Sequence, residues 1–420
     1  MPNADLKDGL SQIMPAAKPT RPFDDPAQQA AGLLLRLGIA IIAIGAPLGS
    51  VFSRRLIFSL VPVGVVLILL AILLDPQRRQ MERLREVLAA PAALTAVFVL
   101  GWAGLSLLWT PFTEPAAERY FKSAITLLLA AAAAAVLPSH TKTSNLYLLP
   151  AGLGASALAV LAFGLLQSPM PAQDIETSTL DRAALSLSML LWPALGALAV
   201  RNRWASAGAL AVAVAVAIIA VWTPVALVAL ALGAITFSLA TNMPKKVGTV
   251  LGLLLAAAMI LAPAIPLALS PLLTSSTSSF ALSIQVAEQI VTHDIWRLIT
   301  GNGIDTISRS IGIQYLPAET PRTMIFEIWY EYGIVGASSI ALLIFLCCRG
   351  AAHLPAPINA FLLGGLVCGT TIVLCGLVTT QLWWLTLLAV VGVQFALVAK
   401  GQYRSVRPKA KAISAGSLPS

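Results

Sequence analysis

Charged residues are scarce in this chain. Asp, Glu, Lys and Arg together make up 11% of its 420 residues, whereas 58% are hydrophobic, and the mean hydropathy is +0.86. A soluble globular protein carries about 25% charged residues. The composition therefore disfavours a soluble enzyme, a disordered chain and a nucleic-acid-binding domain, and it predicts a polytopic membrane protein.

Sequence motifs for metal, disulfide and nucleotide chemistry are also missing. The three histidines form no HExxH motif, and the four cysteines form no CxxC pair and no long-range disulfide framework. No GxxxxGK[ST] loop is present, so ATP is not expected to be the energy source. We predict neither a metal site nor a cofactor.

Apolar segments long enough to cross a bilayer recur from residue 31 to residue 399. With about 20 residues for each span, the sequence predicts an all-α bundle of about twelve transmembrane helices. The predicted spans are 31–52, 56–74, 88–109, 120–137, 146–167, 183–200, 205–221, 223–241, 247–270, 328–348, 357–379 and 382–399. The two spans that meet near Trp222 could instead be one long re-entrant element.

The distribution of Lys and Arg predicts the orientation, because these residues are retained on the cytoplasmic side. With the N-terminus inside, 19 of the 27 basic residues fall inside and 8 outside, whereas 7 of the 18 acidic residues fall inside and 11 outside. Both termini are therefore expected in the cytoplasm. The predicted segments are a cytoplasmic tail (1–30), nine helices (31–270), a large external loop (271–327), three helices (328–399) and a basic tail near anionic lipid (400–420).

The external loop is, at about 55 residues, too long for a simple connector, and such loops usually have a function. It opens with a Ser/Thr-rich stretch at 274–279 and continues with an amphipathic stretch at 281–300. A turn at Gly301-Asn302-Gly303 follows. If the protein has a site, we expect it here, on the outer face.

Basic residues on the predicted outer side need a reason, because that side normally excludes them. They are Arg54, Arg55, Arg119, Lys122, Arg182, Arg297, Arg309 and Arg322. One reason is an anionic ligand such as phosphate or pyrophosphate, which a guanidinium group binds with two hydrogen bonds. The other is that the side chains reach the lipid headgroups or pair with carboxylates. The second is favoured for Arg54, Arg55 and Lys122, and both stay open for Arg182 and Arg322.

Few residues could transfer a proton. His293 is the only histidine on the predicted outer side and could be a general base, although a surface residue on a loop helix is the commoner outcome. Glu327 and Glu331 lie four residues apart and therefore on one helical face. They could be functional or could pair with an arginine of the loop.

Two patterns resemble the O-antigen ligase/polymerase family. That family has a GxG turn late in a large periplasmic loop and then an ExGxxG entry into the next helix. The corresponding residues here are Gly301-Asn302-Gly303-Ile304-Asp305-Thr306 and Glu331-Tyr332-Gly333-Ile334-Val335-Gly336. The runs 105–111, 181–183 and 191–193 also resemble the family. The resemblance implies structural roles at the turn for Gly301, Gly303, Gly333 and Gly336.

The resemblance implies metal-independent glycosyl transfer at the periplasmic face of a bacterial inner membrane. The donor would be a glycan on undecaprenyl pyrophosphate. The acceptor would be lipid A–core oligosaccharide in a ligase, or another lipid-linked glycan in a polymerase. It further implies that arginines hold the pyrophosphate leaving group, which points to Arg182 and to Arg297 and Arg309 in the loop.

One position departs from the ligase pattern. Ligases usually carry a histidine about nine residues before the glutamate of ExG, and this chain has Arg322 there. Arginine stays protonated and is a poor base, so the base is absent, is moved to His293 or Glu327, or is replaced by another mechanism. This departure favours a polymerase or a divergent member over a ligase.

A transporter, such as a polysaccharide flippase or a small-solute permease, is the alternative from another class. Transporters place charged residues deep in the membrane. The apolar segments here are nearly free of charge, with Arg36 a few residues inside the first span. A glycan transferase is therefore the leading hypothesis, ahead of a transporter and of a non-catalytic assembly protein.

Overall fold

The computed structural model describes residues 26–74, 79–138, 145–166, 179–273, 278–293, 296–375 and 382–401. These residues are almost entirely helical and contain no β-strand. The predicted N-terminal tail up to residue 25, the Ser/Thr-rich residues 274–277 and the basic tail from residue 402 lie outside the described residues.

Eighteen α-helices follow one another along the described part of the chain. They are α1 (Pro26–Ala40), α2 (Ala46–Phe52), α3 (Arg54–Leu73), α4 (Arg79–Leu88), α5 (Pro91–Leu105), α6 (Thr113–Val136), α7 (Leu148–Leu166), α8 (Thr179–Ala199), α9 (Trp204–Val221), α10 (Pro224–Asn242), α11 (Pro244–Leu261), α12 (Ala264–Leu273), α13 (Ser279–His293), α14 (Arg297–Thr300), α15 (Thr306–Gly312), α16 (Met324–Ala352), α17 (Ile358–Cys375) and α18 (Leu382–Lys400). A π-helical turn joins α1 to α2, and short 3-10 turns follow α5 and precede α7.

Within the described residues, eleven helical segments are long and apolar enough to cross a membrane. They are the joined α1 and α2, then α3, α5 with its 3-10 turn, α6, α7, α8, α9, α10, α11, α16 and α18. The predicted all-α polytopic class is thus confirmed. The span predicted at 357–379 falls on the apolar helix α17 and continues into residues that are not described, so the count of twelve stays a prediction.

Two helix boundaries bear on the predicted spans. Near Trp222 the chain forms two separate helices, because Trp222 adopts a left-handed conformation (φ 57°) and Pro224 begins α10. The predicted span 247–270 is instead broken, since α11 ends at Leu261 and α12 begins at Ala264. Proline has no backbone N–H to donate and disfavours a helical conformation in the residue before it, so Pro263 accounts for this break.

Helix α8 lies at the centre of the bundle, and almost all of its residues are buried. Its Trp192 indole packs against Gly233 of α10 and Gly364 of α17, where a Cβ atom would come within 2.4 Å and 2.5 Å of the ring. Small residues at such crossings let membrane helices approach closely and gain packing energy. At this crossing, glycines of α10 and α17 therefore pack around one large aromatic residue of α8.

The two ends of the bundle differ. Helices α11 and α16 run antiparallel, since Gly248 packs on Cys348 near one end and Trp329 Nε1 donates to the Met259 carbonyl oxygen, 2.7 Å away, near the other. We call the end that carries α13, α14 and α15 the loop end. The opposite end, with the α8–α9 and α10–α11 connections, is called the basic end.

Candidate functional site

A cavity of about 1010 Å³ opens at the loop end. Helices α12 and α13, the chain from Arg297 to Asn302, the segment 315–323 and the first turns of α16 enclose it. Most of its wall is apolar, and its polar lining includes His293, Arg297, Asn302, Tyr315, Arg322 and Tyr330. This loop cavity can therefore hold an amphiphilic molecule.

Three of the predicted site residues come together in the loop cavity. Arg322 lies half-buried on the segment that leads into α16, and Arg297 lies exposed on α14. His293, the last residue of α13, also lines the cavity and is exposed. The structure thus gathers two guanidinium groups and one imidazole from three different elements around one space.

Two other predicted arginines lie elsewhere. Arg309 donates through Nε to Asp305 Oδ2, 2.6 Å away, and does not line the cavity. At the start of α8, Arg182 donates through Nη2 to Thr179 Oγ1, 3.3 Å away, and it does not line the cavity either. The predicted binding of pyrophosphate by these two residues stays a prediction, without support from the cavity.

Glu327 and Glu331 share one face of α16, as predicted, and both are fully buried outside the loop cavity. The guanidinium group of Arg119, on α6, attracts both carboxylates and also pairs with Asp305. The buried carboxyl group of Glu331 also lies close to the backbone of Asp305. These side chains therefore form a buried charge cluster beside the site rather than a surface that touches a ligand in the cavity.

Helix α16 contains a kink at Gly333, where the backbone has φ 62° and ψ −162°. Such a break removes the usual i+4 partners of the carbonyl groups in the preceding turn. Substitutes come from outside the helix: the Asn302 N–H donates to the Tyr330 oxygen at 2.8 Å, and the Gly303 N–H donates to the Glu331 oxygen at 3.0 Å. Trp102 Nε1 donates to the next carbonyl oxygen, that of Tyr332, at 3.0 Å.

The glycines of the turn are required by this contact. Gly301 and Gly303 have φ values of 76° and 96°, and a Cβ atom on Gly301 would lie 2.2 Å from the Glu331 carbonyl oxygen. A Cβ atom on Gly333 would likewise lie 2.4 Å from the Ile299 oxygen. Gly336, expected to belong to the same turn pattern, lies inside α16, where it packs against Tyr332.

The turn is also anchored to the segment after α5. The Ser106 hydroxyl accepts from the Ile304 N–H at 3.2 Å, and Thr110 Oγ1 donates to the Ile304 oxygen at 3.0 Å. The sequence signals for this region are the GxG pattern and the run 105–111. Neither signal predicts the roles of Arg119 and Asp305, although Asp305 follows the GxG turn by only two residues.

No group of three or more His, Cys, Asp and Glu side chains in the described residues could hold a metal ion.

No protein-family model, curated protein or solved structure matches the chain. What the fold and the cavity define is a class: an all-helical polytopic membrane protein with an amphiphilic cavity at one end of its bundle.

Proposed function

We propose that the protein transfers a glycan from an undecaprenyl-pyrophosphate-linked donor to an acceptor glycan or to lipid A–core, at the periplasmic face of a bacterial inner membrane. The loop cavity is the observation that carries this proposal, because it joins an apolar wall to Arg297, Arg322 and His293. A donor of this kind combines a hydrocarbon chain, a doubly charged linker and a polar sugar. The cavity offers a surface suited to each of the three parts.

The two arginines of the cavity match the charge of the linker. A guanidinium group is permanently charged and presents a planar set of donors that fits two phosphate oxygens. Arg322 is half-buried, so its attraction to an anion is screened less than that of a fully exposed side chain. We assign Arg297 and Arg322 to the pyrophosphate group. The residue at the position of the ligase histidine would then bind the leaving group, since an arginine cannot act as the base.

The transfer itself balances without a metal. An acceptor hydroxyl oxygen attacks the anomeric carbon of the donor sugar, a glycosidic bond forms, and the bond from that carbon to the pyrophosphate oxygen breaks. Undecaprenyl pyrophosphate leaves with the bonding electron pair, and the arginines stabilise the negative charge that develops. The hydroxyl proton passes to a base. We assign the role of this base to His293, whose imidazole lines the cavity.

The position of the buried charges favours surface chemistry over passage across the membrane. A transporter is expected to hold ionisable groups near the middle of the bilayer. Here Glu327 and Glu331 lie in the first eight residues of α16, beside the loop end, and they are covered by the turn at 301–303. We therefore place the function in the loop cavity and not along the axis of the bundle.

The test uses the full-length protein in proteoliposomes with a synthetic undecaprenyl-pyrophosphate-linked glycan. Lipid A–core or a second lipid-linked glycan serves as the acceptor, and products are identified by mass spectrometry. Arg322→Ala and Arg297→Ala are each expected to lower the transfer rate by about 100-fold, because each removes a donor that stabilises the leaving group.

Arg55→Ala is the matched control, since it removes the same charge from an exposed residue at the start of α3, outside the cavity. Its rate should stay within about twofold of the wild-type rate, as expected for an exposed charge. If the wild-type protein transfers glycan to neither acceptor, or if both cavity variants keep the full rate, the proposal is wrong.

A further inference from the structure

Two arginines converge on one aromatic ring at the basic end. The guanidinium carbon of Arg201 lies 3.6 Å from the centre of the Tyr147 ring, and that of Arg203 lies 5.3 Å from the same centre. The two guanidinium carbons are therefore less than about 9 Å apart, the sum of the two distances. Like charges this close repel each other, so the arrangement needs a further source of stability.

Stacking on the ring leaves the hydrogen-bonding edge of Arg201 unused. A guanidinium group that lies over an aromatic ring uses its face for that contact, whereas its N–H groups point outward in the plane of the group. Within the described residues, Arg201 Nε and Nη2 are buried and have no hydrogen-bond partner. These two atoms form the side of the guanidinium group that binds a carboxylate or phosphate with two parallel hydrogen bonds.

Within the described residues, no carboxylate pairs with either Arg201 or Arg203. Helix α9 begins at Trp204, directly after Arg203, and has no acidic residue in its first turn. The start of a helix carries partial positive charge, so α9 adds to the positive potential of the pair.

The surroundings identify the source of the anion. Both arginines lie at the end of membrane-spanning helices, and Trp204, which is 50% exposed, lies beside them. Exposed tryptophans are typical of the headgroup level of a bilayer. Arg203 is exposed and Arg201 is half-buried, so a ligand can reach Arg203 directly. The buried Nε and Nη2 of Arg201 become accessible to it only when the Arg201 side chain shifts.

We propose that Arg201 and Arg203, held together by Tyr147, form a binding site for a phosphate group, supplied by the headgroup of an anionic phospholipid. The site lies at the opposite end of the bundle from the loop cavity. It is therefore independent of the proposed transfer reaction and would anchor the α8–α9 connection to the lipid surface.

The experiment titrates the purified full-length protein in neutral detergent with phosphatidylglycerol, with phosphatidylcholine and with inorganic phosphate. Bound lipid is counted by native mass spectrometry, and the melting temperature is followed by the fluorescence of the tryptophans. Phosphatidylglycerol should bind and raise the melting temperature, and phosphatidylcholine should do so at least tenfold more weakly. The double variant Arg201→Gln/Arg203→Gln should weaken phosphatidylglycerol binding by at least tenfold.

Lys245→Gln/Lys246→Gln is the matched control, because it removes two exposed charges from the same end of the bundle, at the start of α11. It should keep wild-type lipid binding; an equal loss in both double variants would mean general attraction to a basic surface and would overturn the proposal. Arg201→Lys keeps the charge but loses the two-donor edge, so it should also weaken binding.

Three further outcomes are decisive. If Arg201→Lys binds phosphatidylglycerol as well as the wild type does, the proposed contact of two Arg201 donors with the phosphate group is wrong. If inorganic phosphate alone reproduces the shift in melting temperature, the phosphate site stands and its source is a soluble phosphate rather than a lipid. If the double variant does not fold, Arg203→Gln alone is used. Unchanged lipid binding in that variant would contradict the proposal that Arg201 and Arg203 bind the phosphate group together.

Discussion

Arg119 lies at the centre of the buried charge cluster beside the loop cavity. Its guanidinium group pairs with Asp305, whose side chain is 3% exposed, and attracts the fully buried Glu327 and Glu331. Arg309 also donates to Asp305. A buried carboxylate that loses its partner is costly, and the cluster therefore makes the stability of the loop end depend on a few side chains.

Removal of Arg119 should destabilise the protein strongly. We expect Arg119→Ala to lower the free energy of unfolding by about 3–5 kcal/mol, because Asp305 and the glutamates stay buried without their main counter-charge. The measurement is a denaturant titration of the purified protein in detergent. Lys122→Ala is the control on the same helix, since the Lys122–Glu118 pair is exposed and its loss should change little. Equal effects of the two substitutions would show that the cluster contributes no special stability.

Substitution of Glu331 by glutamine should have the opposite effect on the free energy of unfolding. The Glu331 carboxyl group is fully buried next to Glu327. Glu331→Gln keeps the shape and replaces one of three crowded carboxyl groups by a neutral amide, so we expect it to be neutral or stabilising, whereas Glu331→Ala should destabilise by leaving a cavity. The same denaturant titration compares the two. A glutamine variant as unstable as the alanine variant would mean that the carboxyl group itself is needed.

The sequence predicted some of these residue contacts but not others. The spacing of Glu327 and Glu331 placed them on one helical face, because that relation lies within one helix. The pairing of Arg119 with Asp305 joins residues 186 positions apart on different elements. Hydrophobic periodicity contains no information about which polar side chains meet between helices, so this contact required the structure.

At the scale of elements, the turn at Gly301-Asn302-Gly303 and the kink of α16 at Gly333 form one unit. The turn donates backbone N–H groups to the carbonyl oxygens that the kink leaves without a partner inside the helix. Because Asn302, Tyr330 and Phe326 also line the loop cavity, this unit shapes the cavity wall. The GxG and ExGxxG patterns are therefore two halves of one structural contact.

Gly333→Ala should break this unit. The residue has φ 62° and ψ −162°, a conformation that is essentially confined to glycine and costs other residues about 1–3 kcal/mol. A Cβ atom would in addition lie 2.4 Å from the Ile299 oxygen. We expect a clear loss of thermal stability in detergent. Gly350→Ala, near the other end of the same helix, meets no atom within 4 Å and should be neutral or stabilising. A Gly333→Ala variant as stable as Gly350→Ala would mean that the kink is not required.

Helix existence was predictable where apolar runs are long, whereas helix ends were not. The run from 247 to 270 stays apolar across Pro263, so hydropathy alone predicted one span where the structure has α11 and α12. By contrast, Trp222 and Pro224 interrupt a similar run, and there the two-helix prediction was right. Length and hydropathy predict how much apolar chain is present, but backbone conformation at single residues decides where a helix stops.

The two ends of the whole bundle differ in their charged groups. The basic end carries Arg201, Arg203, Lys245 and Lys246, whereas the loop end carries the carboxylates of the buried cluster and the arginines of the loop cavity. The distribution of Lys and Arg in the sequence predicts the same four basic residues on the inside. Because basic residues are retained in the cytoplasm, the basic end is expected there and the loop cavity in the periplasm.

Single-cysteine labelling tests this orientation. With the four native cysteines replaced by alanine, Glu319→Cys places a thiol on an exposed residue at the loop end, and Met243→Cys places one on an exposed residue at the basic end. A membrane-impermeant maleimide added to spheroplasts should label the first site, and it should reach the second only after lysis, because an intact membrane blocks the reagent. Ser53→Cys, between α2 and α3, provides a second site on the predicted outer side and should behave like Glu319→Cys. Labelling in the reverse order would put the loop cavity in the cytoplasm, where it could not meet a periplasmic donor, and the proposed glycan transfer would have to be abandoned together with the orientation.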